Sequence, residues 1–117
     1  MSFRFERMRI WNDAMDLGEE INTLSHTFPE REKFNLSSQM TRAIDSVALN
    51  ISEGAIGQSD AEFSRFLGYS IRSIAEVVTC LYKARNRSYL TEDEFKANYG
   101  KCFNLMNMII AFRKNLK

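Results

Sequence analysis

The side chains that most often perform catalysis or hold metal ions are few in this sequence. The 117 residues include one histidine, His26, and two cysteines. A di-metal site in a helical bundle needs Glu-x-x-His pairs, but Thr23 stands three residues before His26. A lone histidine near a loop also supports no Ser-His-Asp or Cys-His arrangement, and no phosphate-loop or dinucleotide-binding motif is present. We therefore expect no metal, no cofactor and no enzymatic activity.

The cysteines and two glutamates have simpler interpretations than catalysis. Cys80 and Cys102 lack CxxC spacing and lie in helical segments, which predicts buried free thiols in a reducing cytoplasm. Glu53 and Glu76 could form a carboxylate pair, although a glutamate at a helix end and one in a helix middle are more often structural or solvated. No apolar run approaches the ~18 residues of a membrane span, and the N-terminus lacks the apolar stretch of a signal peptide. We expect a cytoplasmic protein without membrane contact.

The basic residues near the two ends of the chain are stronger candidates for a functional role. The formal charge is only +1, but residues 4–28 sum to −2 and residues 30–53 to −1, whereas residues 58–87 and 91–117 each sum to +2. Arg4, Arg7 and Arg9 oppose the dipole of the helix that they are predicted to begin. A solvated helix end is the alternative to a nucleic-acid contact.

Four helical segments must position these residues. Apolar residues recur three or four positions apart, and the single proline of the chain follows the first segment. The predicted helices cover about residues 5–27, 36–53, 60–87 and 92–116. The seam of the first is predicted to contain Met8, Trp11, Met15, Gly18, Ile21 and Leu24.

Local signals mark where the later helices begin and end. Gly54 is predicted to end the second helix as a left-handed stop. Capping boxes at Ser59–Glu62 and Thr91–Glu94 are predicted to open the third and fourth helices.

Short connectors make neighbouring helices antiparallel, so we predict an all-α, up-down-up-down four-helix bundle in a single domain over residues 1–117. The start of the first helix and the end of the fourth then meet at one basic pole. The later half of the first helix is acidic and lies toward the other pole, so we expect the molecule to be an electrostatic dipole. The candidate contacts for phosphate or a partner are Arg4, Arg7, Arg9, Arg42, Arg113, Lys114 and Lys117.

The third and fourth predicted helices carry more apolar residues than one seam needs. The additional residues are Phe66, Tyr69, Val77 and Cys80 on the third and Phe103, Leu105, Ile110 and Phe112 on the fourth. This excess predicts a homo-oligomer in which these helices face another subunit. The alternative is a wide seam with scattered exposed apolar residues, which are normal on protein surfaces.

One stretch of sequence is more specific than its periodicity. The segments Leu36–Met40 and Ser46–Gly54, then Ser59, Glu62-Phe63, Ser73-Ile74 and Glu76, resemble the small four-helix bundle proteins encoded in bacterial 23S rRNA intervening sequences. Further matches at Phe5, Trp11 and Tyr89-Leu90 extend the resemblance over nearly the whole chain. The Asn-Ile-x-Glu-Gly element followed by Ser-x-x-Glu-Phe is its specific part.

The resemblance implies a homo-oligomer, commonly a five-fold ring. Relatives of similar fold include the accessory protein of diversity-generating retroelements, which binds a reverse transcriptase and nucleic acid through a basic surface. Two departures weaken the implied nucleic-acid binding: Thr41-Arg42-Ala43 has one basic residue fewer than usual, and Arg72 replaces a small residue.

The residues of this motif are interpreted mainly as structural. Asn50 and Glu53 are expected to hydrogen-bond loop amides of residues 55–59, and Ser46, Ser70 and Ser73 to allow close helix approach. A partner-binding site is the alternative. The motif set is Asn50, Glu53, Gly54, Ser59, Glu62, Phe63, Ser73 and Glu76.

The sequence as a whole predicts a non-enzymatic, homo-oligomeric bundle. Its partner would be RNA or a nucleic-acid-handling protein, bound through basic residues at one pole. The rival hypothesis is a protein-interaction scaffold that touches no nucleic acid.

Overall fold

Four α-helices and two short 3₁₀ turns make up the computed structural model, which describes residues 1–116, and these residues contain no strand. The 3₁₀ turns are Arg4–Arg7 and Glu30–Glu32. The helices are α1 (Arg9–Ser25), α2 (Leu36–Ala55), α3 (Asp60–Asn86) and α4 (Glu92–Lys114).

The helices form an elongated bundle measuring 44 × 23 × 22 Å. Each helix packs against the next one along the chain, and α4 closes the bundle against α1. The all-α four-helix fold predicted from the sequence is therefore confirmed. We call the end where α1 and α3 begin and α2 and α4 end the N-terminal pole, and the opposite end the distal pole.

The core runs along the bundle axis and is tightest between α2 and α3. Ile44, Val47 and Ile51 of α2 and Leu67 and Ile74 of α3 are fully buried.

Small residues let α2 and α3 approach closely, as the sequence predicted. The Ser70 hydroxyl donates to the Val47 carbonyl at 2.9 Å, and the hydroxyls of Ser46 and Ser73 are hydrogen-bonded to each other. A short hydroxyl satisfies its own polar group while occupying little of the space between the two backbones.

The first helix begins later than its apolar pattern predicted. Residues 4–7 form a 3₁₀ turn and Met8 is extended, with φ −88° and ψ 128°, so α1 starts at Arg9. Aromatic packing holds this turn in place, because the Phe5 ring lies 5.1 Å from the Trp11 ring, centroid to centroid. Packing at a chain end thus overrides a helical periodicity.

Gly54 does not end α2 in a left-handed conformation, so that prediction is wrong. No glycine in the described residues has a positive φ, and α2 continues through Gly54 to Ala55. Gly54 is instead a contact point between helices. A Cβ atom here would lie 2.8 Å from Phe63 Cδ1 and 2.9 Å from Phe66 Cβ.

The capping signals have different outcomes at the two later helices. At α4 the full capping box forms, with the Glu94 amide donating to Thr91 Oγ1 at 3.1 Å and the Thr91 amide donating to Glu94 Oε1 at 2.9 Å. At α3 only one of the two hydrogen bonds of the box forms, the one in which Ser59 Oγ accepts from the Glu62 amide at 3.1 Å. The carboxylate of Glu62 lies beside Gly57, where a Cβ atom would collide with it.

Candidate nucleic-acid interface

Two arginines from opposite ends of the sequence converge on the first turns of α3. The Arg4 guanidinium lies 5.4 Å from the centre of the Phe63 ring. Arg113, near the end of α4, donates from Nε to Ser64 Oγ at 3.0 Å. Phe63 and Ser64 are neighbours in sequence, so α3 supplies the platform that holds both cations at the N-terminal pole.

The segment before α1 has a defined shape that places Arg4. The Phe3 amide donates to Glu6 Oε1 at 3.1 Å, and the rings of Phe3 and Phe5 stack with centroids 5.4 Å apart. Arg7 donates to Ser2 Oγ at 2.6 Å and remains exposed.

Most cations at this pole are not neutralised. Within residues 1–116, no carboxylate lies at ion-pair distance from Arg4, Arg7, Arg113 or Lys114. Phosphate is the anion that such arginines recognise well, since the planar guanidinium matches two of its oxygens. The pole can therefore accept a phosphate backbone without first breaking ion pairs.

Two of the predicted contacts, Arg9 and Arg42, do not join this group. Arg9 pairs with Asp13 at 3.5 Å and faces the groove between α1 and α4. Arg42 is the seventh residue of α2, so it lies nearer to the distal pole. Lys117 falls outside the described residues.

Arg65 belongs to the pole, although our sequence interpretation missed it. It is exposed on the second turn of α3, and its guanidinium lies 5.6 Å from the centre of the Phe66 ring. The antiparallel topology itself was a sufficient signal, because the start of α3 meets the end of α4.

Neither the thiols nor the histidine form a reactive site. Cys80 and Cys102 are free and buried, as predicted, and burial raises the pKa of both thiols, that of Cys102 to about 12. His26 is exposed, with Nδ1 2.7 Å from the Asn22 carbonyl. In the described part of the chain, no group of three histidine, cysteine or acidic side chains is placed to hold a metal ion.

The apolar excess on α3 and α4 is smaller than the sequence suggested. Val77, Cys80 and Leu105 are core residues. Among the predicted residues, Tyr69 and Phe103 stay exposed, at 40% and 53%. Phe103 belongs to an aromatic strip between α3 and α4, in which Phe95 is buried and Tyr82 is exposed. The rings of the strip are those of Tyr82, Phe95, Tyr99 and Phe103, and neighbouring centroids lie 4.9 to 6.4 Å apart.

Sequence comparison places the chain in a family. The family model of the 23S rRNA-intervening sequence protein matches residues 6–111, which is most of the chain. The chain belongs to this family. No curated protein matches the sequence.

A solved structure has the same fold as this chain. It is the crystal structure of a protein of unknown function from the S23 ribosomal protein family of Bacteroides thetaiotaomicron. The two chains are 20% identical, the TM-score is 0.84, and the match covers 91% of this chain and 99% of the other. At this identity the likeness shows the fold. None of the helices described in our structure is long and apolar enough to cross a membrane.

The motif residues that suggested the 23S rRNA-intervening sequence protein family lie in three parts of the structure. Ser59 and Phe63 build the start of α3, and Gly54 packs against Phe63. Ser73 joins α2 to α3 through Ser46. Asn50, Glu53 and Glu76 are surface or half-buried residues on the two helices.

The expected hydrogen bonds from Asn50 and Glu53 to the loop do not form. Asn50 Nδ2 donates to the Ser46 carbonyl at 2.8 Å, one turn earlier in α2. Glu53 is exposed and has no hydrogen-bond partner among residues 1–116. The loop is closed by backbone bonds instead, such as the one from the Gly57 amide to the Gly54 carbonyl at 3.2 Å.

The distal pole of this family member holds a buried carboxylate that the sequence did not reveal. Glu32, 5% exposed, accepts from the Tyr89 hydroxyl at 2.6 Å and from Arg87 at 3.1 Å. The Tyr89 hydrogen bond and the positive charge of Arg87 lower the pKa of Glu32, against the opposing effect of burial. The bonds join the α1–α2 connector to the α3–α4 connector, which are 55 or more residues apart in sequence.

Proposed function

We propose that this member of the family is a non-enzymatic homo-oligomer that binds the phosphate backbone of RNA through its N-terminal pole. The observation that carries the proposal is the convergence of Arg4 and Arg113 on the first turns of α3, with no carboxylate paired to either among the described residues. Arg7, Arg65 and Lys114 extend the same surface.

The mechanism would be displacement of counterions from phosphate rather than reading of base sequence. Each cation that neutralises a phosphate releases condensed counterions, which favours binding most strongly at low salt. Contacts to phosphate set position and orientation but carry no sequence information. Nothing in such a complex requires the buried thiols or His26.

A ring of copies, commonly five in the proteins that the sequence resembles, would strengthen this binding. Cyclic symmetry places the N-terminal poles of all copies on equivalent positions of one assembly. Several weak phosphate sites on one body then bind one RNA with a high effective concentration. The aromatic strip between α3 and α4 supports self-association, since large exposed aromatic residues favour protein contacts.

The test is the salt dependence of RNA binding by matched charge variants. The pole variant replaces Arg4, Arg7, Arg113 and Lys114 by glutamine. The control replaces Lys33, Arg72, Lys83 and Lys96 by glutamine, four exposed cations away from that surface. Fluorescence anisotropy with a single-stranded RNA is measured from ~50 to ~200 mM salt, the range over which phosphate binding weakens steeply.

We expect the pole variant to bind RNA more weakly and with less dependence on salt. The slope of log Kd against log salt should fall by about 0.7 for each phosphate of a single strand that the variant no longer neutralises. The control should keep the wild-type slope, even though its net charge changes equally. Equal behaviour of the two variants, or no RNA binding by the wild type at ~50 mM salt, would exclude the proposal.

The rival function is a protein-interaction scaffold, and the aromatic strip favours it. A scaffold of this kind would bind no RNA in the titration above. It would instead co-purify with a protein partner whose recovery is unaffected by nuclease treatment.

A further inference from the structure

A groove between α1 and α2 is an apolar recess that the bundle leaves open. It is about 400 Å³ in volume, and its apolar walls include Trp11, Ala14, Met15, Ala48 and Leu49. Met15 is 44% exposed and Leu49 61% exposed. Both lie within helices, and covering their apolar surface so that water is excluded would stabilise a complex.

The groove exists because α1 is rotated relative to the predicted seam. The predicted seam is correct at Gly18 and Ile21, which are buried. Trp11 and Met15 lie outside the core, where Ile10, Ala14 and Leu17 are buried instead. Gly18 then lies in the lining of the groove, and a Cβ atom on it would meet nothing within 4 Å.

The length of the groove matches a short helical segment. Its lining extends from Trp11 to Glu19 on α1 and from Ile44 to Ser52 on α2. Nine helical residues rise about 12 Å, which is a little over two turns. Phe5, packed on Trp11, lines the end near the N-terminal pole.

The other end of the groove is acidic. Glu19 and Asp45 both line it, and within residues 1–116 neither lies at ion-pair distance from a cation. Burial raises the pKa of Asp45, and the negative charge of Glu19 raises it further. A cation bound between them would reverse that unfavourable electrostatic environment.

We propose that the groove between α1 and α2 docks an amphipathic helix of a protein partner, with apolar residues on Trp11, Met15 and Leu49 and a lysine or arginine between Glu19 and Asp45. Such a helix presents its anchors at positions i, i+4 and i+7, which fit a groove of about two turns. The charges at the acidic end select a basic segment over an acidic one.

Charge also argues against two other occupants, RNA and a second copy that uses the same groove. A neighbouring copy of a ring, which would present a different face to the groove, is distinguished by the concentration test below. RNA would bring phosphate against Glu19 and Asp45. A second copy that used the same groove symmetrically would bring four carboxylates and no cation of the groove into one apolar contact. The docking site is separate from the basic pole, so it does not depend on RNA binding.

The experiment uses Trp11, the single tryptophan of the chain, as its reporter. The probe is an alanine-based helical peptide of about 16 residues, long enough to be partly helical in water. It carries leucines at i, i+4 and i+7 and two lysines one turn further along. A matched peptide has glutamates in place of those lysines. Binding should move the Trp11 emission to shorter wavelength, because the indole leaves water.

Selectivity between the two peptides tests the acidic end. We expect the lysine peptide to bind about tenfold more tightly than the glutamate peptide, as for other charge-complementary contacts. The double variant Glu19→Gln, Asp45→Asn should lose this preference while still binding through the apolar anchors. Equal affinity of the wild type for both peptides would overturn the proposal.

Two glycine variants test the location. Gly18→Leu fills the groove, whereas Gly100→Leu adds the same side chain within α4, where a Cβ atom also meets nothing within 4 Å. Gly18→Leu should abolish peptide binding and leave RNA binding unchanged, and Gly100→Leu should bind the peptide normally. Binding that survives Gly18→Leu contradicts the proposal. So does a Trp11 emission shift that follows protein concentration without peptide, because a second copy would then occupy the groove.

Discussion

Glu32 shows how one side chain can join distant parts of the bundle. Its carboxylate accepts hydrogen bonds from Asn35, Arg87 and Tyr89, which lie on both sides of the distal pole. Arg31 donates to the Tyr89 hydroxyl at 3.1 Å and extends the network to the surface. A buried carboxylate is tolerated here because each of its oxygens has a donor.

This network predicts a specific acid sensitivity. The pKa of Glu32 is lowered in the folded protein, chiefly by the Tyr89 hydrogen bond, so its stabilising contribution is present at pH values above the ordinary pKa of a glutamate. That contribution is lost as the pH falls through the lowered pKa. Wild-type protein should therefore lose more unfolding free energy between pH 6 and pH 3 than Glu32→Gln, as measured by urea denaturation.

The control for that experiment is Glu30→Gln, in the same 3₁₀ turn but exposed. It should follow the wild-type pH dependence. If Glu32→Gln also follows it, the network does not contribute to folding stability.

At the scale of elements, the contact between α2 and α3 depends on Gly54. The missing side chain lets the end of α2 rest on Phe63 and Phe66, at distances where a Cβ atom would collide with both. Because the neighbouring atoms are a ring carbon of a buried side chain and a Cβ atom, neither can move away cheaply.

Gly54→Ala should therefore destabilise the bundle. We expect a loss of about 1–3 kcal/mol, the usual cost of overpacking a core. Gly100→Ala is the matched control, since it lies inside α4 with open space around it. It should stabilise by about 0.5–1 kcal/mol through helix propensity. Thermal denaturation followed by circular dichroism measures both, and similar shifts for the two variants would contradict this account of Gly54.

At the scale of the whole molecule, charge is less separated than the sequence suggested. The acidic stretch of α1 was predicted to form one side of an electrostatic dipole. Two of its carboxylates are paired instead, Asp13 with Arg9 and Glu20 with Lys101, whose Nζ lies 2.6 Å from Glu20 Oε1. The cations of the basic pole and the carboxylates at the acidic end of the α1–α2 groove have no such ion pair among the described residues.

Self-association is a prediction for the assembled molecule. We expect light scattering at micromolar concentration to give a multiple of the 13.6 kDa chain mass. Phe103→Asp should shift the assembly toward monomer, because a charge would be buried in the aromatic strip. Phe34→Asp, at an 89% exposed residue of the α1–α2 connector, is the control and should keep the wild-type mass. A wild-type mass of 13.6 kDa would exclude the homo-oligomer.

The sequence by itself determined the helices and several of their ends. The four-helix fold follows from apolar periodicity, and the capping box at Thr91 follows from hydrogen bonds within four residues of chain. The burial of both thiols could also be predicted from the sequence, since each cysteine lies on an apolar face of its helix. Signals of this kind act over one helical turn, so they do not depend on how the helices pack.

Only the tertiary structure decided which residues meet. It placed Arg4 on Phe63, gave Glu32 its partners across the distal pole, and turned Met15 outward beside Gly18. The contacts of Arg4 and Glu32 join residues more than fifty positions apart, and the orientation of Met15 depends on the rotation of α1 against its neighbours. Periodicity identifies the apolar face of a helix. Because successive residues are about 100° apart around the helix axis, it does not fix which residues of a wide apolar face point to the core.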